Sequence, residues 1–166
     1  MKAQVAFSKS KGIISNLIKL WTIGSYSHVE LVIDGMSYTA GVSENAIRCK
    51  YIDYKKESNI WDVYELDMTD EQIKVMLQFY KDTEGRKYDF EGILLSQFLW
   101  FVNKDDKDRY FCSEWTLQAI DLACNRTLLY RGIPVGTKKY SKFSPNRLHK
   151  YLIDSGIISN DDLVKL

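Results

Sequence analysis

Cys112 and His28 are residues whose types can together perform nucleophilic catalysis. A cysteine attacks as its thiolate, and a neighbouring histidine can take up the thiol proton. Cys112 falls in the first turn of a helix predicted in "YFCSEWTLQAIDLACN", where unpaired backbone N–H groups and the helix dipole favour a negative charge. The same N–H groups are suited to stabilise the oxyanion of a tetrahedral intermediate. The pair predicts acyl-transfer chemistry if the fold brings the two side chains together.

The polar neighbours of His28 follow from its place in a predicted β-hairpin. The segment "HVELVIDGMSYTA" alternates so that His28 and Glu30 share one strand face. The Asp-Gly dipeptide at 34–35 is a hairpin signal, because both positions of a two-residue turn need positive φ. Pairing across this turn places Glu30 opposite Thr39 on the face of the histidine. We therefore predict that the side chains of His28, Glu30 and Thr39 converge on one face of the hairpin.

The elements that must position these residues are short strands and helices in mixed order. Strands are predicted over 46–52 and 60–66. A helix begins after Thr69, which forms a capping box with Gln72, and ends at Gly85.

Four more helices complete the predicted order. Two of them cover 12–21 and 92–102, and a third begins near Cys112. The fourth runs from the N-cap Ser144 to Gly156, where it ends. The expected fold is α+β, with a small antiparallel sheet packed against helices and the cysteine at a helix N-terminus.

Composition narrows the class of protein. The length of 166 residues predicts a single domain over 1–166. The 23 basic and 22 acidic residues give a net charge of +1, which argues against a nucleic acid as partner. The three cysteines form no CxxC pair and only two histidines are present. We therefore predict no disulfide framework, no metal site and no cofactor.

No segment has the pattern of a signal peptide or of a transmembrane helix. Polar residues at 9–12 interrupt the apolar start of the chain. The most apolar window, at 92–102, is about half the roughly 20 residues that cross a bilayer. We predict a cytoplasmic or phage-associated protein without a signal peptide or a transmembrane segment.

Each candidate residue also has an ordinary structural interpretation. Cys112 can be a small buried apolar residue, which is the interpretation adopted for Cys49 and Cys124. His28 can be a hydrogen-bonded structural residue in its strand. His149, on the last predicted helix, is interpreted as a solvated surface residue.

Four segments resemble a known family, the circularly permuted papain-like enzymes related to NlpC cell-wall peptidases, especially the YiiX-like group. "YSHVELVID" resembles the histidine strand of the family, and "RYFCSEW" resembles its cysteine helix start. "GRKYDFEGIL" resembles the Gly-x-x-Tyr-Asp segment before that helix, and "SPNRL" resembles the Pro-led helix that follows. Lecithin retinol acyltransferase is a more distant relative of this family.

The resemblance implies a permuted papain-like fold and a thiol hydrolase or acyltransferase. In it Cys112 attacks a carbonyl to form a thioester, and His28 serves as base and then as acid. In this family a third polar residue orients the histidine. Where many relatives carry it this chain has Thr39, and Glu30 is the other candidate. The implied substrate is a peptide amide, as in the cell wall, or an acyl ester. The alternatives are a binding or structural protein that keeps the fold, and a redox-regulatory thiol at Cys112.

Overall fold

The computed structural model describes residues 1–10, 24–89, 109–125, 140 and 143–166. The helices predicted over 12–21 and 92–102 lie outside the described residues.

The described strands form one seven-stranded sheet in the order β5-β1-β2-β3-β4-β6-β7. Their bounds are β1 Ala3–Ser8, β2 His28–Ile33, β3 Met36–Gly41, β4 Ala46–Tyr51, β5 Trp61–Leu66, β6 Lys87–Tyr88 and β7 Arg109–Tyr110. Neighbouring strands are antiparallel except β6 and β7, which pair in parallel. The predicted α+β class is confirmed, but the sheet is larger than predicted and is not purely antiparallel.

Three α-helices are described: α1 Asp70–Thr83, α2 Cys112–Ala123 and α3 Pro145–Asp154, and a 3-10 turn follows at Asn160–Asp162. The predicted capping box of α1 is confirmed, since Gln72 N donates to Thr69 Oγ1 at 3.3 Å and Thr69 N donates to Gln72 Oε1 at 2.8 Å. Helix α3 begins after the N-cap Ser144, and the chain turns beyond it at Gly156 with φ of 70°. These three starts and stops are local signals, which is why the sequence predicts them.

Strand β1 lies inside the sheet, second from one edge, between β2 and β5. It is not among the strands predicted above, although Ala3, Val5 and Phe7 alternate and are all buried. The position of β1 follows from pairing with two strands distant in sequence, which no local pattern specifies.

The β2–β3 hairpin has the predicted turn and register. Asp34 and Gly35 take φ of 47° and 82°, and Leu31 pairs with Tyr38. The ladder between the strands covers three residue pairs and ends at this one. Beyond it the Thr39 hydroxyl donates to the carbonyl of Val29 at 2.8 Å, so a side chain replaces the next backbone bond.

Helix α2 packs against β2, β3 and α1. Its residues Cys112, Trp115 and Ala119 are buried in the main core, as their helical spacing predicts. Trp115 stacks on Phe79 with ring centroids 5.6 Å apart, and its Nε1 donates to Thr83 Oγ1 at 3.0 Å. These two contacts join the first turn of α2 to α1.

The start of α3 fixes the segment that leads into β2. Tyr26 N donates to Asn146 Oδ1 at 2.9 Å, and Asn146 Nδ2 donates back to Tyr26 O at 2.8 Å. A Cβ atom at Gly24 would lie 2.1 Å from the Asn146 side chain, so this close approach requires glycine. The pair fixes the chain at Tyr26, two residues before β2 begins at His28.

His149 is not the solvated surface residue that the sequence suggests. Its ring lies 4.9 Å from that of Tyr26, 5.1 Å from Phe7 and 5.3 Å from Tyr64, and Nε2 is 3.1 Å from the Tyr64 hydroxyl. Burial lowers the pKa of this imidazole, against the opposing charge of Asp62. His149 therefore joins α3 to the sheet as a packed, partly buried side chain.

Among the helices of the described ranges, none combines the length and the apolar character that crossing a membrane requires.

Candidate active site

The start of α2 presents Cys112 as the first helical residue. Phe111 is the N-cap, with extended backbone and no side-chain cap on the helix, and its carbonyl accepts from Trp115 N at 3.0 Å. The first N–H groups of a helix have no partner within the helix. The Cys112 side chain is thus attached where the local field favours an anion.

Cys112 and His28 are brought together as predicted. The thiol forms a hydrogen bond with the His28 side chain, and the backbone N–H groups of Val29 and Ser113 also donate to the sulfur. Cys112 is 3% exposed, and the His28 side chain is 21% exposed. The contact forms where β2 no longer pairs with β3, so the helix start reaches the backbone of β2.

The two groups shift each other's protonation. Burial opposes ionisation of Cys112, but the charge and hydrogen bond of His28 lower the pKa of the thiol below its ordinary value of 9.0. Burial also opposes the charged imidazole, but the Cys112 and Glu30 charges raise the pKa of His28 to about 10. Each group therefore favours the charged form of the other, a thiolate beside an imidazolium.

Glu30 is the carboxylate that faces His28. Its Oε1 lies 3.2 Å from His28 Nε2, and the residue is 1% exposed. Because Nε2 faces Glu30, Nδ1 is the ring nitrogen left for the thiol. Burial opposes ionisation of Glu30, but the hydrogen bonds and charges of His28 and Arg48 lower its pKa to about 2.

A second row of polar residues holds Glu30 from the far side. Arg48 Nη2 donates to Oε1 at 2.7 Å and Nη1 donates to Oε2 at 3.3 Å. The Tyr54 hydroxyl donates to Oε2 at 3.3 Å and lies 2.6 Å from Ser37 Oγ. None of Arg48, Tyr54 and Ser37 is predicted from the sequence to support the site, although Arg48 lies opposite Thr39 in the β3–β4 register.

Thr39 has a different environment from Glu30. Its buried hydroxyl donates to the Val29 carbonyl at 2.8 Å and lies 3.4 Å from the Ala40 carbonyl. Both contacts are with backbone, and the one to Val29 spans the opening between β2 and β3. Of the two residues predicted to orient His28, Glu30 is the one whose side chain contacts the imidazole among the described residues.

Tyr88 is a further side chain at the sulfur. It is buried at the end of β6, and its hydroxyl hydrogen-bonds Cys112. Burial, with the negative charges of Cys112 and Asp89, raises the pKa of Tyr88 well above its ordinary value, so the phenol keeps its proton. Tyr88 belongs to the segment "GRKYD" that resembles the family, but its contact with the sulfur is not predicted from the sequence.

The depressed pKa of Glu30 predicts an acid-sensitive fold. The folded state holds Glu30 at a pKa of about 2, against an ordinary value of 4.5, so its contribution is complete above pH 4.5. That contribution is lost as the pH falls from 4.5 towards 2, and its size is about 3 kcal/mol. Urea unfolding between pH 6 and pH 2.5 measures this slope.

The matched control for the acid slope is Glu65→Gln, which removes an exposed carboxylate paired with Lys2. This control is expected to unfold with the wild-type pH dependence. The double variant Glu30→Gln/Arg48→Met should be less pH-dependent than the wild type in this range. A double variant with an unchanged slope would contradict the assignment of the acid loss to Glu30.

Among the described residues, no group of three or more His, Cys, Asp and Glu side chains could hold a metal ion.

Comparisons with solved structures find chains of similar fold. No protein-family model matches the chain, and no curated protein matches it. The crystal structure of the metalloprotein yiiX from Escherichia coli O157:H7 is similar, with a TM-score of 0.52 and 22% identity. The match covers 98% of this chain and 90% of that chain. The chain therefore has a YiiX-like α+β fold, while the permuted papain-like arrangement stays a prediction.

Proposed function

We propose that this protein is a cysteine-dependent hydrolase that cleaves an amide or ester bond through a thioester. The observation that carries the proposal is the chain of contacts Cys112–His28–Glu30, with a thiol of lowered pKa at a helix start. A nucleophile, a proton carrier and an orienting carboxylate are the parts that this chemistry needs. The resemblance of the histidine and cysteine segments to permuted papain-like enzymes supports the same roles.

In the acylation step the Cys112 thiolate attacks the carbonyl carbon of the substrate. The carbonyl electrons move to oxygen, and backbone N–H groups at the start of α2 are placed to stabilise that oxyanion. The His28 imidazolium then gives its proton to the leaving amine or alkoxide, and the bond to the leaving group breaks. The products are a thioester on Cys112 and a neutral His28.

In the deacylation step water replaces the leaving group. Neutral His28 takes a proton from the water as its oxygen attacks the thioester carbon. The second tetrahedral intermediate expels the Cys112 thiolate and releases the acid. Glu30 keeps the imidazole oriented in both steps, since its oxygen contacts Nε2 at 3.2 Å.

Peptide amides are the first substrate class to test and acyl esters are the second, following the two relatives that the motifs resemble. Wild-type protein is incubated with purified peptidoglycan and, separately, with a lipid ester panel. The products are identified by mass spectrometry. We expect a new product from one of the two, and a transient adduct on Cys112 in the intact mass. No product and no adduct from either set would count against hydrolysis.

The competing function is binding without catalysis, favoured by the near-complete burial of the Cys112 thiol. In a binding protein Cys112 is an ordinary core residue and reacts slowly with alkylating reagents at every pH. The thiol reactivity described in the Discussion separates this function from the hydrolase.

A further inference from the structure

We propose that Arg48 is a positioning residue of the nucleophile and that it acts through Glu30. Because Arg48 neutralises this carboxylate, the positive charge of His28 is available to stabilise the Cys112 thiolate. The inference rests on the proposed function, because it concerns the protonation state of the same thiol. It assigns a role to a residue of β4, outside the segments that carry the family resemblance.

The contact between Arg48 and Glu30 has the geometry of a specific ion pair. The two terminal nitrogens of the guanidinium reach both carboxylate oxygens, at 2.7 and 3.3 Å. The Arg48 side chain is 12% exposed and the Glu30 side chain 2%, so little solvent screens the pair. A two-point contact of this kind fixes orientation as well as charge.

The four charged groups alternate in sign along one row. Cys112 is negative, His28 positive, Glu30 negative and Arg48 positive, so the row is neutral when every group is ionised. Without Arg48, two buried anions would share the single charge of His28. One anion would then take up a proton at a higher pH, because burial disfavours an uncompensated charge. Since the two anions compete for that proton, the fraction of Cys112 present as thiolate falls.

Other polar groups face this row without replacing Arg48. The phenols of Tyr54 and Tyr88 contact Glu30 and Cys112, respectively, and both keep their protons, since burial raises the pKa of each phenol. Glu44 Oε2 lies 3.7 Å from Arg48 Nε, but Glu44 is more exposed and also pairs with Lys50 at 3.3 Å. Arg48 is therefore the described cation that contacts Glu30 on the side away from His28.

The experiment measures Cys112 alkylation by iodoacetamide against pH in the wild type and in Arg48→Met. In the variant we expect the acid limb of the alkylation profile to move up by about one pH unit, which is about a tenfold lower rate below the limb. Arg48→Lys keeps the charge and is expected to restore the wild-type limb. The matched control is Lys50→Met, on the same strand face and also bound to Glu44, which should leave the profile unchanged.

A double variant tests the same idea if Arg48→Met does not fold. Glu30→Gln/Arg48→Met removes both charges and keeps an amide oxygen for His28 Nε2, so its acid limb should lie close to that of the wild type. A folded double variant with a limb raised by a unit or more would overturn the proposal. So would a folded Arg48→Met protein with the wild-type profile, or an Arg48→Lys protein with the full shift.

The alkylation assay needs no substrate, which separates the two proposals. A protein that shows the Arg48 effect but cleaves neither peptidoglycan nor lipid esters loses the hydrolase assignment alone. A protein that hydrolyses a substrate but is indifferent to Arg48 loses this inference alone.

Discussion

Replacing Cys112 by alanine is expected to abolish hydrolysis, with a loss of about 10⁴-fold or more in turnover. The substitution removes the sulfur that forms the thioester, and no neighbouring group in the contact chain can take its place. The fold should persist, because alanine fits the space of a small buried side chain at a helix start. Product formation on a confirmed substrate, together with thermal unfolding, measures both effects.

Cys124→Ala is the matched control for this variant. Cys124 closes the same helix and is partly buried, but it does not belong to the contact chain of His28. Its removal should leave turnover near the wild-type value. A Cys112→Ala protein that kept full turnover while Cys124→Ala lost it would remove Cys112 from the mechanism.

Replacing His28 by glutamine is expected to lower the alkylation rate of Cys112 at pH 6 by about 10²-fold. Burial raises the pKa of the thiol, and the His28 charge overcomes that effect in the wild type. Without the imidazolium the thiol should titrate above its ordinary value of 9.0. In the wild type, by contrast, the rate should stay flat through neutral pH and fall only where the thiolate is protonated.

The His28 experiment carries its own controls, since Cys49 and Cys124 are alkylated in the same sample and followed by mass spectrometry. Their rates should be equal in the two proteins. A Cys112 that reacts like an ordinary thiol in the wild type would indicate a binding protein. Peroxide sensitivity of Cys112 that survives in His28→Gln would instead support the redox-regulatory alternative.

Local chemistry explains which parts of the fold the sequence predicts. The Asp34-Gly35 turn and the capping box at Thr69 each depend on residues within a few positions of one another. The start of α2 is of the same kind, because the spacing of Cys112, Trp115 and Ala119 already identifies the buried face. These features are therefore predictable without knowledge of the tertiary contacts.

The support behind the candidate site is not local, and this is why the sequence does not identify it. Arg48 reaches Glu30 only because β3 lies between their strands and brings both side chains to one face. Tyr54 follows β4 and folds back onto the same carboxylate. No spacing rule distinguishes this arginine or this tyrosine from the others in the chain.

Thr39 follows the predicted hairpin register, but the register does not determine what its side chain contacts. The turn predicts Thr39 on the face of His28, and its hydroxyl is indeed buried near β2. The ladder stops one pair before it, so the unpaired Val29 carbonyl takes the hydroxyl hydrogen instead. The ladder ends where the start of α2 contacts β2, and because α2 lies far along the chain the hairpin alone does not predict this opening.

The pairing of Asn146 with Tyr26 has a consequence for synthesis. The two residues are 120 positions apart, and their bonds fix the point at which β2 begins. A nascent chain emerging from the ribosome holds the His28 strand and the Cys112 helix before it holds α3. We expect assembly of the ion pair to wait for α3, and folding to be slowed by this long-range closure. The ion pair would then form only after α3 has been synthesised.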